Sequence, residues 1–128
     1  MAGQGGTTEK TEPKAGDLIP VPSGQEVRFL DVIHGEPGPE GLTARFRFVA
    51  PAIARDGGTV APEAAQEDMA ALCSAFALQR IAKIGPQPVQ IIIVLSDREV
   101  AFGETVPEAT QYFEAYSLAD GMCIWEPF

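Results

Sequence analysis

Histidine and tryptophan occur once each in this chain, cysteine and tyrosine twice each, and aromatic residues make up 8% of its 128 positions. These scarcities exclude a good deal of chemistry. A structural zinc site needs four nitrogen or sulfur ligands, and two Cys with one His fall short of it. No Cys-x-x-Cys pair occurs, so a thiol–disulfide exchange motif is absent. Lys and Arg number 9 against 18 Asp and Glu, giving a net charge of −9 and a pI near 4.4. Binding to nucleic acid or to an anionic membrane needs clustered cations, and both are excluded as expectations. The longest apolar run, Ile91 to Leu95, is strand length. A membrane-spanning helix needs about 18 or more apolar residues, so no membrane insertion is expected. No Gly-x-Ser-x-Gly elbow, phosphate loop or dinucleotide fingerprint occurs. Asp56-Gly57-Gly58 lacks the downstream ligands of a calcium loop. No cofactor, no metal and no catalytic residue set is therefore expected.

What the chain does have is enough hydrophobic content, 45%, for one domain around one core. Residues 1–24 hold five Gly and three Pro and little that could pack. They read as a disordered tail, with a single domain over 25–128. The tail carries three acidic and two basic residues, so the acidity (−9 − (−1) = −8) belongs to the domain. An acidic surface serves solubility first, and basic partners second. Met1 to Gly6 has neither a basic start nor an apolar stretch. Either the protein is cytosolic or the sequence begins after a removed signal, with Met1 as an added start. No internal repeat is visible.

Apolar spacing gives the elements. Val27 to Ile33 reads as a short strand, and His34 to Gly41 as a loop by its Pro and Gly. Leu42, Ala44, Phe46 and Phe48 alternate with Thr43, Arg45 and Arg47, a half-buried strand with its arginines on the wet face. Pro62 suits the first turn of a helix, and Glu63, Glu67 and Asp68 suit its positive end. Ala65, Met69, Leu72, Cys73 and Phe76 form one stripe at steps of three and four. The helix is expected to end by Gly85-Pro86, with a break near Leu78. Val89 to Leu95, apolar on both sides, reads as a central strand. Glu99 to Phe102 reads as a returning strand after a Ser96-Asp97-Arg98 turn. Two last strands flank Asp120-Gly121, the strongest hairpin signal in the chain. The fold class is α+β, an antiparallel sheet in ββαββββ order with one long helix on one face.

The hairpin fixes a register. A two-residue Asp120-Gly121 turn pairs Ala119 with Met122, Leu118 with Cys123 and Tyr116 with Trp125. Residues two apart share a face. Tyr116, Leu118, Cys123 and Trp125 therefore face the helix, and Cys123 turns towards Cys73, fifty positions earlier. Two readings stand: a disulfide, or two buried free thiols acting as small hydrophobes. The bond would imply maturation in an oxidising compartment.

Other residue types have bland readings beside the functional ones. His34, beside Glu36 in a Gly/Pro loop, could act as a base, but an ordinary surface histidine needs no nucleophile nearby. Ser96-Asp97-Arg98 could gather a hydroxyl, a carboxylate and a guanidinium, yet turn chemistry alone explains Ser and Asp. Trp125 could anchor a partner, although its register favours the core. Phe128 is the better candidate for a loose contact.

Phe48-Val49-Ala50-Pro51, Asp68 to Cys73, Leu95 to Arg98 and Cys123 to Glu126 together resemble a family of short, uncharacterised alphaproteobacterial proteins of the Rhodobacter-like group. The resemblance covers residues 18 to 127. It implies a signal-like segment, export, and both cysteines. Some relatives carry an acetolactate synthase label, which fits poorly: a thiamine-diphosphate enzyme needs far more chain. The expected function is a non-catalytic, monomeric periplasmic protein (cytoplasmic if the thiols are free) that binds another protein or assists an envelope complex. A sheet edge such as the first strand could accept a partner strand. The rivals are a small-molecule binder or small enzyme with a helix–sheet pocket near His34, Asp97, Arg98 and Tyr116, and an accessory subunit of a larger complex with an exposed apolar patch.

Overall fold

The computed structural model describes residues 14–81 and 86–127. Five strands form one sheet in sequential order: β1 Arg28–Gly38, β2 Gly41–Val49, β3 Gln90–Ser96, β4 Gln111–Ala119 and β5 Met122–Glu126. One helix, α1 Pro62–Ala71, stands between β2 and β3. The class is α+β as expected, but the sheet is mixed. β2 and β3 run parallel, and the other three pairs are antiparallel. The expectation of a purely antiparallel sheet fails because α1 returns the chain to the end where β2 began, which is what a parallel neighbour requires. The element order is ββαβββ.

The missing strand is Glu99 to Phe102. Its apolar residues go elsewhere. Val100 is buried, and its carbonyl accepts from Arg47 Nη1 at 2.7 Å. Phe102 lies under the guanidinium groups of Arg45 and Arg47. This segment thus crosses behind β2 and covers part of the face expected to be wet. Arg47 is further tied to Asp31 by two bonds of 2.7 Å.

β1 runs further than its composition suggests. Bulges at Leu30 and Gly35 carry it through Pro37. Gly35 has φ +74°, a conformation cheap only for glycine. Pro37 is tolerated because β1 is an edge strand.

The helix begins as its residues dictate, with Pro62 in the first turn and Glu63 beside it. Its stripe is fully used: Ala65, Met69, Leu72, Cys73 and Phe76 are all buried. Beyond Ala71 the winding loosens to a π turn over Leu72–Ala77, then tightens to a 3-10 turn over Leu78–Arg80. Arg80 closes this end: it donates to the Phe76 carbonyl and stacks on the Phe76 ring at 3.9 Å. Ile81 is extended, so the helix stops short of Gly85, which lies outside the described residues. The core lies between helix and sheet. Phe29, Phe46, Phe48 and Phe76 meet there at centroid distances of 5.4–6.3 Å, with Ile91, Ile93 and Leu95 beneath.

Residues ahead of Gln25, expected to be tail, lie on the domain from Gly16 onward. Gly16 N donates to Phe29 O, Phe29 N to Asp17 O, and Ile19 N to Val27 O. The anchor is Asp68, fully buried, whose carboxylate accepts from Ser23 N, Ser23 Oγ and Gln25 Nε2 at 2.6–2.9 Å. Residues 1–13 and Phe128 lie outside the described residues.

Candidate functional site

The β4–β5 hairpin has the register that the Asp120-Gly121 turn dictates. Leu118 faces Cys123 and Tyr116 faces Trp125. Both turn residues have positive φ, 55° and 73°, the geometry whose twist matches paired strands. Cys73 and Cys123 are joined by a disulfide, with Cα atoms 6.3 Å apart. The bond ties the π turn after α1 to the edge strand β5.

Beside it, α1 and β4–β5 diverge into a groove. Two adjoining hollows of about 350 and 440 Å³ share Glu63, Gln66 and Glu114. Trp125 faces the helix side, as its register requires, but it is not core: it is 53% exposed. The helix offers Glu63, Gln66, Glu67 and Ala70 in the same hollow, and a methyl group with three polar chains does not cover an indole. Trp125 Nε1 donates to Glu114 Oε1, and Gln66 Nε2 donates to Glu114 Oε2 at 3.3 Å. Glu63, Glu67 and Glu114 give the groove three carboxylates. Among the described residues, no group of His, Cys, Asp and Glu is arranged to hold a metal ion.

Tyr116 lines the first hollow and is 2% exposed. Its hydroxyl has no hydrogen-bond partner among the described residues. Burial, and then the Glu114 charge, push its pKa well above the ordinary phenol value, so it remains a neutral hydroxyl. The ring is buried while the residue lines the groove, an amphipathic placement usual for tyrosine.

The four candidate residues of the sequence reading do not share one site. His34 and Tyr116 fall in one row across β1, β2, β3 and β4, three strand spacings or about 14 Å apart at the backbone. His34 is exposed and makes no ion pair among the described residues. Asp97 lies six residues along from the Ile91 row, about 20 Å at strand rise. Asp97 and Arg98 do meet, at 3.1 Å. Their work is local. Asp97 Oδ1 accepts from Thr110 N, Asp97 N donates to Thr110 O, and Arg98 Nη2 donates to Glu108 O. They staple the connection between β3 and β4.

Arg98, opposed by burial and helped by the Thr110 amide, holds the Asp97 carboxyl below its ordinary value. The folded value being the lower one, the contribution to stability is complete above the unfolded value, near pH 4, and fades as pH falls through the folded one. Asp97→Asn should therefore melt below the parent by a constant margin at neutral pH. That margin should narrow in melts run on the acid side of about pH 4; a margin independent of pH would contradict it.

Asp68, the groove carboxylates and Arg45 were the residues that sequence patterns under-read. Asp68 and Glu67 looked like helix-terminal charges and Arg45 like a solvated one. Pattern alone does not separate a buried acid from an exposed one in the same helical turn.

Fold and site together define a small disulfide-bonded α+β domain with an acidic, aromatic-walled groove between its helix and its last two strands. The chain belongs to a family of unknown function (DUF6497), whose model matches residues 2–128. No curated protein and no solved structure matches it.

Proposed function

We propose that this is a non-catalytic, monomeric protein-binding module of the bacterial periplasm, and that the groove between α1 and β4–β5 takes a basic segment of a partner protein. The observation that carries the reading is the juxtaposition of three groove carboxylates with the half-exposed Trp125 and with Tyr116, whose ring is buried and which lines the same hollow. A Lys or Arg side chain suits all three: its charge meets Glu63, Glu67 or Glu114, its stem lies on the indole, and its N–H groups meet the phenol oxygen. The net charge of −9 favours the same partner at long range. Among the described residues no helix is long and apolar enough to cross a membrane.

The edge of β5, unbulged and unpaired among the described residues, lies beside the groove, whereas β1 is interrupted by two bulges and bridged at its start by Leu18. A bulged edge resists pairing, so a partner strand fits β5 better than the first strand.

Peptide display at physiological salt should enrich sequences with Lys or Arg flanked by apolar residues. Trp125→Ala should cut the affinity of a selected peptide at least about tenfold, the scale of an interface anchor. It should cost under about 1 kcal/mol of stability, because the indole is half exposed. Enrichment of acidic or uncharged peptides, or binding indifferent to Trp125, would sink the proposal. Export is checked separately. Protein from its natural host should resist alkylation until reduced, then take two adducts; two adducts without reduction in denaturant would place it in the cytosol.

A further inference from the structure

The face of the sheet opposite α1 holds a hollow of about 400 Å³ that the groove does not use. Its floor follows from the register. Arg45, Ile92, Ala115 and Glu126 stand in one row across β2, β3, β4 and β5. Thr43 and Gln90 stand in the adjacent row. The β1–β2 turn at Pro37–Glu40 and Pro127 wall it.

Two polar groups of this floor are unspent. Gln90 is only 9% exposed, yet its side-chain amide makes no hydrogen bond among the described residues. Arg45 has the Phe102 ring 5.6 Å from its guanidinium carbon, but no carboxylate pairs with it among the described residues, and its buried Nε is unpartnered. The contrast with Arg47 is direct. Two positions further along the same face, Arg47 spends its donors on Asp31 and on the Val100 carbonyl. A buried guanidinium nitrogen left unpaired opposes folding, and the Gln90 amide lines the hollow without a protein partner among the described residues. The sheet does not need them, since an apolar pair would pack there without that cost. At the other end of the row, Glu126 is held in place by Ser117 Oγ at 2.7 Å. The row therefore reads cation, apolar saddle, carboxylate. Arg45 and Glu126 are three strand spacings apart, about 14 Å at the backbone, and both side chains shorten that gap from their own ends.

We infer that this hollow binds a short zwitterion of dipeptide size. Its carboxylate lies on Arg45 and Gln90, its ammonium group on Glu126, and its middle over Ile92 and Ala115. A planar guanidinium fork accepts a carboxylate bidentately, and a neutral amide adds a third donor. Glu126 rejects a plain dianion and selects an amine at the far end.

The test is a titration of the intact protein with L-alanyl-L-alanine, followed by nitrogen–proton NMR. The expected result is a saturable shift of the Gln90 side-chain amide and of the Ala115 backbone, with Ala70 across the sheet unmoved. Arg45→Gln should weaken binding at least about tenfold. Glu126→Gln, at the sheet edge and tolerant of change, should weaken the dipeptide but leave its N-acetylated form unaffected. Amidating the dipeptide's carboxylate should abolish the shift. No saturable shift in the parent protein would overturn the inference. So would equal affinity for the free, acetylated and amidated dipeptides.

Discussion

Breaking the bond between Cys73 and Cys123 should cost about 4 kcal/mol of folding free energy, the chain-entropy value for a closed loop of roughly 51 residues. At about 3–5 °C per kcal/mol for a domain near this size, melting should fall on the order of 12–20 °C. The structure gives the reason for so large an effect. β5 is a five-residue edge strand whose only sheet partner among the described residues is β4. Met122, Ile124 and Trp125 are exposed, so Cys123 is its link to the core. Cys73 at the other end is fully buried. The double variant Cys73→Ala with Cys123→Ala is the cleanest form of the experiment, since alanine leaves no polar atom in the core. Chemical denaturation with and without a reductant reads the same quantity. A loss below about 1 kcal/mol would mean that the unfolded chain gains little freedom from the cut. The groove should suffer as well, because the bond fixes β5, and with it Trp125, against the end of the helix that carries Glu67 and Ala70.

Asp68→Ala comes second, at about 3 kcal/mol. Three donors converge on this carboxylate, and it has no exposure. Removing it leaves the Ser23 amide and the Gln25 side chain without their acceptor, and buried groups stripped of a charged partner cost several times an ordinary hydrogen bond. The defect should be local before it is global. Amide exchange at Ser23 and Ile19 should rise well before exchange in β3, because the segment from Gly16 to Gln25 is held by this acid and by its backbone bonds to Val27 and Phe29. Asp68→Asn keeps one acceptor oxygen and should lose less. A stability within about 0.5 kcal/mol of the parent for the alanine variant would show the anchor to be idle.

Much of this fold could be read where local chemistry has few solutions. Asp120-Gly121 permits one tight turn, and from it followed the pairing of Leu118 with Cys123 and the side on which the disulfide forms. The stripe from Ala65 to Phe76 and the alternation of Leu42 to Phe48 are likewise local. What escaped was non-local. β3 is apolar on both faces, which suits a parallel or an antiparallel neighbour equally, so the β2–β3 direction is set by α1 and not by the strand. Glu99 to Phe102 alternates like a strand, but the Val100 carbonyl and the Phe102 ring are spent on Arg45 and Arg47. Pro37 reads as loop unless an edge position is known. For Trp125 the face was legible and the cover was not, since burial depends on what α1 happens to present opposite it. Of the site, the carboxylates are visible in the sequence as charge, but their convergence on Tyr116 and Trp125 is a product of packing.

The measurement that tests the groove most directly is an NMR titration of the oxidised protein with a short peptide carrying two lysines around a leucine. The expected result is a saturable shift of the Trp125 indole N–H with the Ala70 and Glu67 amides, weakened by salt as a charged contact must be, and lost in Trp125→Ala. Small shifts spread evenly over the acidic surface, unchanged by that substitution, would show that the charge attracts cations in general and that the groove between α1 and β5 binds nothing.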